Sequence, residues 1–168
     1  MKNFFVGAIS ALLLLAVGAF IYLRTGMAEV RADFPPPRWE TYVMQTAVHS
    51  SIKREAPEIP SPVQATNENL IAGGKFYLGA CAGCHGTPGK PQGSGGAVLY
   101  PPIPELPVVG TELSEAQIFF VAKHGIRRSG MFANGVWASD QELWTVTAYI
   151  KRMDSLPAGV KEAIEKKP

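Results

Sequence analysis

Two cysteines and the histidine that follows them constrain this chain more than any other feature. Cys81, Cys84 and His85 stand in the order C-x-x-C-H, and the 168-residue chain has no other cysteine. This spacing is the attachment signature of c-type haem. Two thiols three residues apart can reach the two vinyl groups at one edge of a porphyrin, and the adjacent imidazole then lies under the iron as an axial ligand. The motif therefore predicts one haem c, held covalently through Cys81 and Cys84.

Other interpretations of the same three residues stay open, although the pattern favours haem. A thioredoxin-like redox pair requires a βαβ setting, and the sequence shows no alternating strand pattern. A structural zinc site requires four ligands, whereas only three candidate ligands cluster here. A disulfide would close a very small loop and stabilise the fold little. Coincidence is the remaining alternative, and it would have to place both cysteines of the chain in this one motif.

The N-terminal segment is long and apolar enough to cross a bilayer. Residues 4–23 contain Ser10 as their only polar side chain, and at helical rise they span about 30 Å. We therefore predict a transmembrane anchor over residues 1–23. The alternative is a cleaved signal sequence, because Lys2 supplies a positive N-terminal charge and residues 30–32 are spaced like a cleavage site. The apolar run is longer than the usual signal core, which favours the anchor.

A proline-rich tether is predicted over residues 24–66. Prolines cluster at residues 35–37 and again between residues 57 and 62, and such clusters favour extended backbone and stop helices. Between them, residues 38–55 place apolar side chains at near-helical spacing, which predicts a short amphipathic helix. Trp39 and Val43 would be out of place in a solvated spacer. The helix is therefore expected to dock on a partner or on the membrane surface, or else to pack back on its own domain.

The remaining residues, 67–168, carry the signals of a compact helical domain. Thr66 or Asn67 can cap a first helix. Residues 114–117 and 139–142 each have the form of a capping box, and apolar side chains follow both at helical spacing. A Gly- and Pro-rich stretch near residues 86–107 is too long for an empty loop in a compact domain. We therefore predict an all-α fold that is built around a cofactor.

At this point the sequence resembles the class I cytochromes c. Gly74 and Tyr77 precede the cysteine motif at the distances that are typical of that family, and the predicted last helix contains Tyr149, the expected partner of Gly74. The resemblance covers residues 67–156. It implies the cytochrome c fold around one covalent haem. It does not reach the single N-terminal transmembrane helix, which the apolar run predicts separately.

The sixth iron ligand has to come from a distant part of the chain. Met131 lies in the segment R-S-G-M-F-A, which is similar to the family's G-M-P-A ligand loop, with Phe132 where proline is usual. A thioether ligand raises the iron potential relative to a second histidine. The metal ligands are therefore predicted to be His85 and Met131. A sixth position that is open or labile is the alternative.

Several residues are expected to support the haem. The resemblance implies that a proline carbonyl in the loop after the motif bonds the second ring nitrogen of His85. Pro102 is taken as the candidate, and its neighbours Pro101 and Pro104 stay open. Tyr100, Trp137 and either Arg127 or Arg128 have suitable donors for the haem propionates. The alternative for each is an ordinary surface or core role.

The net charge of the chain and the cellular compartment of haem attachment narrow the functions that this protein can have. A formal net charge of +2, with no long basic stripe, argues against a nucleic-acid binder. Haem c is attached outside the bacterial plasma membrane, as the resemblance implies, so the haem domain is expected in the periplasm. We predict an electron-transfer protein rather than an enzyme, acting between respiratory or dehydrogenase partners, either as a free tethered shuttle or as a subunit of a larger membrane complex. The alternative is a haem protein with an open sixth site that senses small ligands or reacts with peroxide.

Overall fold

The computed structural model describes residues 1–31, 33–90, 99–109 and 111–166. It divides into two compact units, Met1–Pro35 and Pro36–Pro168. Regular structure in the described residues is helical apart from one isolated bridge between Thr87 and Lys90, so the prediction of an all-α fold is confirmed. The helices are α1 (Lys2–Arg24), α2 (Arg38–Glu55), α3 (Asn67–Ala80), α4 (Ala82–His85), α5 (Leu106–Val109), α6 (Glu115–His124), a 3₁₀ turn (Asn134–Val136), α7 (Asp140–Ile150) and α8 (Ala158–Glu165).

The first unit consists mainly of α1. Its side chains are exposed along the whole helix, although nearly all of them are apolar. It is the one helix in the described part of the chain that is long and apolar enough to cross a membrane. The helix ends at Arg24, and the Thr25 hydroxyl donates to the carbonyl of Ile21 at 2.8 Å. Its apolar surface suggests membrane anchoring, because exposing so much of it to water would be unfavourable.

In the second unit, α3 and α7 cross at very short range. Glycine permits this approach, because a Cβ atom built at Gly73 would lie 2.9 Å from Cβ of Tyr149 and still closer to the carbonyl oxygen of Thr145. A Cβ atom at Gly74 would lie 3.0 Å from Cε2 of Tyr149, so the structure brings these two residues together as the resemblance implied. The ring centroids of Tyr77 and Tyr149 are 5.4 Å apart in the buried core. The last helix, α8, closes this core with Ile164.

Helix α6 packs against α7 through stacked aromatic rings. The rings of Phe119 and Trp144 are nearly parallel, with their centroids 4.2 Å apart. Both helices begin with the predicted capping boxes, which are confirmed. In α6 the Ser114 hydroxyl accepts from the backbone N–H of Gln117, and in α7 the same arrangement joins Ser139 and Glu142. These reciprocal bonds satisfy backbone donors that a helix start would otherwise leave without partners.

Helix α2 occupies the range 38–55 that its sequence pattern predicts, and it lies in the same compact unit as the helices that follow. One side of α2 is turned inward, with Ile52 buried, and the helix contacts α6. On the opposite side of α2, the side chains near the N-terminal end are exposed. The division between the two units falls near Pro35, whereas the sequence analysis places a tether over residues 24–66. That tether, and the domain boundaries drawn from it, stay predictions.

Candidate haem site

The cysteine motif forms one tight helical turn directly after α3. The backbone N–H of Cys81 donates to Tyr77 at the end of α3, and the carbonyl of Cys81 accepts from the N–H groups of Cys84 and His85 at 3.1 and 2.9 Å. Both cysteines are free thiols and half-buried. The local hydrogen bonds therefore hold two thiols and one imidazole on a single short turn.

A buried tyrosine secures this turn to α3. The hydroxyl of Tyr77 donates to the carbonyl of Gly86 at 2.8 Å, and the side chain is fully buried. Burial is the main cause that raises the pKa of Tyr77 well above its usual range, with the neighbouring Cys81 and Tyr149 adding to it. The hydroxyl thus stays protonated and can donate this bond at any physiological pH. Tyr77 connects the first core helix to the residue that follows His85.

The carbonyl that His85 reaches is that of Pro104. Its oxygen lies 2.9 Å from Nδ1 of His85, so Pro104 and not the candidate Pro102 makes this bond. A proline-rich loop was correctly expected here, but which carbonyl faces inward depends on the path of the loop in space. Because Nδ1 donates to this carbonyl, Nε2 is the nitrogen left to bind a metal.

The environment shifts the pKa values of Cys81 and His85 so that the uncharged form of each is favoured. Burial lowers the pKa of His85, and the Pro104 carbonyl offsets this only in part. Burial also raises the pKa of the Cys81 thiol to about 11, with a smaller contribution from Cys84. A neutral imidazole is the form that ligates iron. Low polarity of this kind suits a large apolar cofactor such as a porphyrin.

Met131 lies in a loop that closes on itself. The backbone N–H of Ile126 donates to the carbonyl of Met131 at 2.8 Å, and the hydroxyl of Ser129 bonds both to the carbonyl of Ile126 and to the N–H of Met131. Gly125, which precedes the loop, has φ +66°, and a Cβ atom there would lie 2.6 Å from the Met131 carbonyl oxygen. Only glycine fits this position. The loop is therefore held firmly despite Phe132, which is exposed.

The other predicted site residues lie on loops of the same unit. Arg127 is exposed at the tip of the Met131 loop. The Tyr100 hydroxyl lies 3.4 Å from Oγ1 of Thr41 on α2. Trp137 is 55% exposed, and its ring is stacked parallel to Phe76 with 5.4 Å between centroids. The roles of Tyr100, Arg127 and Trp137 as donors to the haem propionates stay predictions.

Sequence reasoning missed two contributors to the site, Thr41 and Phe76, and left a third, Pro104, undecided. Pro104 was visible as one of three prolines, but no local signal separates it from Pro102. Thr41 lies on α2, which sequence analysis did not connect to the Tyr100 loop. Phe76 immediately precedes Tyr77 in the segment G-K-F-Y-L-G, and its aromatic type was the only available signal for the stack with Trp137.

These residues fit a covalent haem. The two thiols are unpaired with each other, and the histidine beside them has one ring nitrogen bonded and the other left for the iron. This donor set is what thioether attachment and axial ligation require. Cys81 and Cys84 would hold the porphyrin edge, and His85 would be the proximal ligand. Met131 as distal ligand is a prediction that rests on the sequence and on the closed loop around it.

Comparison with known proteins agrees with this site. Residues 68–150 match the family model described as cytochrome c oxidase, cbb3-type, subunit III. Searches of curated proteins and of solved structures gave no significant match. The matched segment begins in α3 and ends with α7, so it includes the cysteine motif, the Pro104 loop and the Met131 loop. Residues 68–150 of this chain therefore form a c-type cytochrome domain with the all-α cytochrome c fold, and they carry a covalent haem c.

Proposed function

We propose that this protein is a membrane-anchored, periplasmic cytochrome c with one haem, which carries single electrons between respiratory or dehydrogenase partners. The observation that carries the proposal is the hydrogen bond between His85 Nδ1 and the Pro104 carbonyl beside two free thiols. It prepares one imidazole nitrogen as an iron ligand at the site of covalent attachment. The c-type cytochrome domain supports electron transfer rather than catalysis.

Different residues of the chain would hold the haem and set the potential of its iron. When bound, the haem supplies an iron that takes up and releases one electron. Cys81 and Cys84 hold it in place, and the bond from His85 to Pro104 orients the imidazole and strengthens it as a ligand. A thioether from Met131 would raise the iron potential. Both His85 and Met131 lie on hydrogen-bonded turns. The backbone that carries them would therefore move little when the charge on the iron changes.

The anchor and the compartment follow from two separate features. Helix α1 has the length and composition of a single membrane span. Haem c attachment supports placing residues 36–168 on the periplasmic side, with the N-terminus in the cytoplasm. Charged residues do not decide the orientation, because Lys2 lies on one side of the apolar segment and Arg24 and Arg31 on the other.

A redox partner is proposed to dock beside the Met131 loop. Arg127 and Arg128 are exposed at its tip, and the neighbouring Phe132 offers an exposed apolar ring. Lys123 contributes less net charge, because its ammonium lies 2.7 Å from a carboxylate oxygen of Asp140. Such a surface suits a partner with acidic groups around an apolar centre, since opposite charges speed the encounter.

The description of the matching family names a subunit of an oxidase, and we propose by analogy that this chain belongs to a larger respiratory membrane complex. Purification from native membranes in mild detergent, with haem staining of a denaturing gel, tests this directly. A subunit brings a stoichiometric set of membrane proteins with the haem-stained band. A haem band that is isolated alone, with its N-terminal segment retained, would contradict the subunit and favour a tethered shuttle.

The role of Met131 is tested by binding of carbon monoxide to the reduced protein. With Met131 on the iron, the absorption spectrum stays unchanged on adding carbon monoxide, whereas Met131→Ala opens the position, binds the gas and has a lower potential. Met27→Ala is the matched control, because Met27 is exposed outside the haem-domain unit. A complete spectral shift in the unsubstituted protein would refute the Met131 assignment and favour the ligand-binding alternative.

A further inference from the structure

We propose that the first two turns of α2 lie in the water–lipid interface of the membrane, with Trp39, Tyr42 and Val43 inserted among the lipid headgroups. This inference rests on the membrane anchor of the proposed function and adds a second point of attachment. It concerns the haem domain itself, since α2 belongs to the unit Pro36–Pro168.

The three side chains form one exposed apolar surface. At positions i, i+3 and i+4 of a helix they share a face. Trp39, Tyr42 and Val43 are 69%, 72% and 52% exposed. The opposite side of α2 is turned inward, and Ile52 there is only 5% exposed. Packing among the described residues therefore accounts for one side of the helix and leaves the aromatic side uncovered by them.

The apolar character of the exposed face stops after two turns. Further along the same face, Thr46, Ser50 and Lys53 are exposed and polar. A helix that docks into a protein groove keeps its apolar anchors over several turns. Here only the N-terminal end carries large apolar side chains, because the exposed apolar residue that follows Val43 by one turn is the small Ala47. This distribution fits a helix whose N-terminal end lies in the water–lipid interface while its C-terminal end lies in water.

The position in the chain and the residue types favour lipid as the occupant. Only thirteen residues, 25–37, separate the end of α1 from the start of α2, and they reach at most about 50 Å when fully extended. Trp and Tyr are the residues enriched at membrane–water interfaces, because their rings have an apolar body and a polar tip. The apolar end of α2 is also the end nearer to α1 along the chain.

Seating α2 in the interface would orient the haem domain. Thr41 lies in the same turn as Tyr42, and its Oγ1 is 3.4 Å from the Tyr100 hydroxyl. The loop that begins at Tyr100 continues to Pro104, whose carbonyl bonds His85. Helix α2 is thus connected to His85 by two contacts, Thr41 with Tyr100 and Pro104 with His85. A membrane contact at α2 would restrict how the haem domain turns relative to the membrane plane.

Spin labelling of the full-length, haem-loaded protein in nanodiscs of phosphatidylethanolamine and phosphatidylglycerol tests this inference. The natural cysteines are bonded to haem, so Tyr42→Cys provides one labelling site and Val43→Cys a second. Ser50→Cys is the matched control on the polar part of the same face, and an unchanged haem spectrum shows that each variant is folded. Electron paramagnetic resonance then compares collisions of the label with oxygen, which enriches in lipid, and with a water-soluble nickel chelate.

We expect labels at residues 42 and 43 to collide several-fold more with oxygen relative to nickel than a label at residue 50. Equal, water-like values at all three positions would overturn the inference. So would shielding of residue 42 from both reagents, which would indicate a covering protein surface. A label introduced by Leu14→Cys separates the two proposals. If residue 14 is in lipid and residue 42 in water, only this inference fails, whereas residue 14 in water means that the anchor itself has failed.

Discussion

The crossing of α3 and α7 predicts opposite effects of alanine at two glycines on one helix. A Cβ atom at Gly73 would lie 2.9 Å from Cβ of Tyr149 and 3.0 Å from the backbone carbon of Thr145, whereas one at Gly79 would meet nothing within 4 Å. Replacing glycine by alanine in a helix gains about 1 kcal/mol from propensity alone. At Gly79 that gain is realised in full or nearly so.

At Gly73 the gain is outweighed by crowding. The neighbouring atoms are backbone and Cβ atoms, which cannot turn away, so α7 would have to move by roughly an ångström to restore ordinary contact with the carbonyl oxygen of Thr145. Overpacking of this kind costs about 1 to 3 kcal/mol, and the hydrophobic core around Tyr149 loosens as well. We expect Gly73→Ala to lower the free energy of unfolding by up to about 2 kcal/mol after the propensity gain is subtracted.

Guanidinium unfolding of the haem-loaded protein, followed by far-ultraviolet circular dichroism, measures both changes. Gly74→Ala is a graded intermediate, because the nearest atoms there belong to the flexible end of the Ile164 side chain. The expected order of stability is Gly79→Ala, then Gly74→Ala, then Gly73→Ala. If Gly73→Ala proved as stable as Gly79→Ala, the close helix crossing would be refuted.

Three further predictions concern single contacts. Tyr77→Phe removes the buried bond to Gly86 and should lower the free energy of unfolding by about 1 to 2 kcal/mol; an unchanged denaturation midpoint would contradict this. The bonds from Ser139 lower the pKa of Glu142, so the stabilising contribution of this carboxylate is present above the ordinary glutamate pKa and is lost as pH falls through the lowered value. In Glu142→Gln the melting temperature should therefore depend less on pH in that acid range. An equally steep pH dependence in this variant would count against the cap. Arg128 has φ +61°, so Arg128→Gly should raise stability by about 0.5 to 1 kcal/mol in the same unfolding assay, and a loss would refute strain at this position.

Local signals in the sequence predicted the parts of the fold that depend on neighbouring residues. Both capping boxes formed as expected, because a cap is decided within four residues. The cysteine motif likewise identified the haem attachment, since its spacing alone carries the chemistry. The helix at 38–55 was predicted with the observed bounds, because prolines limit its N-terminal side and apolar spacing marks its body.

Contacts between distant parts of the chain were not predictable in the same way. Which proline bonds His85 depends on how the loop returns to the motif, and Pro104 rather than Pro102 faces the ring. The side of α2 that packs inward was also undecided, because both sides carry apolar residues. Burial of Ile52 and exposure of Trp39 were decided by tertiary contacts, which the periodicity of a single helix does not contain.

The central claim is that the turn from Cys81 to His85 holds one covalent haem c. The most direct test is the intact mass of the full-length protein, purified from cells with active c-type maturation, followed by mass analysis of the peptide that contains both cysteines. We expect the chain to be heavier by one haem, with the added mass located on this peptide and retained in denaturant. An unmodified mass, or a peptide in which Cys81 and Cys84 form a disulfide, would contradict the account.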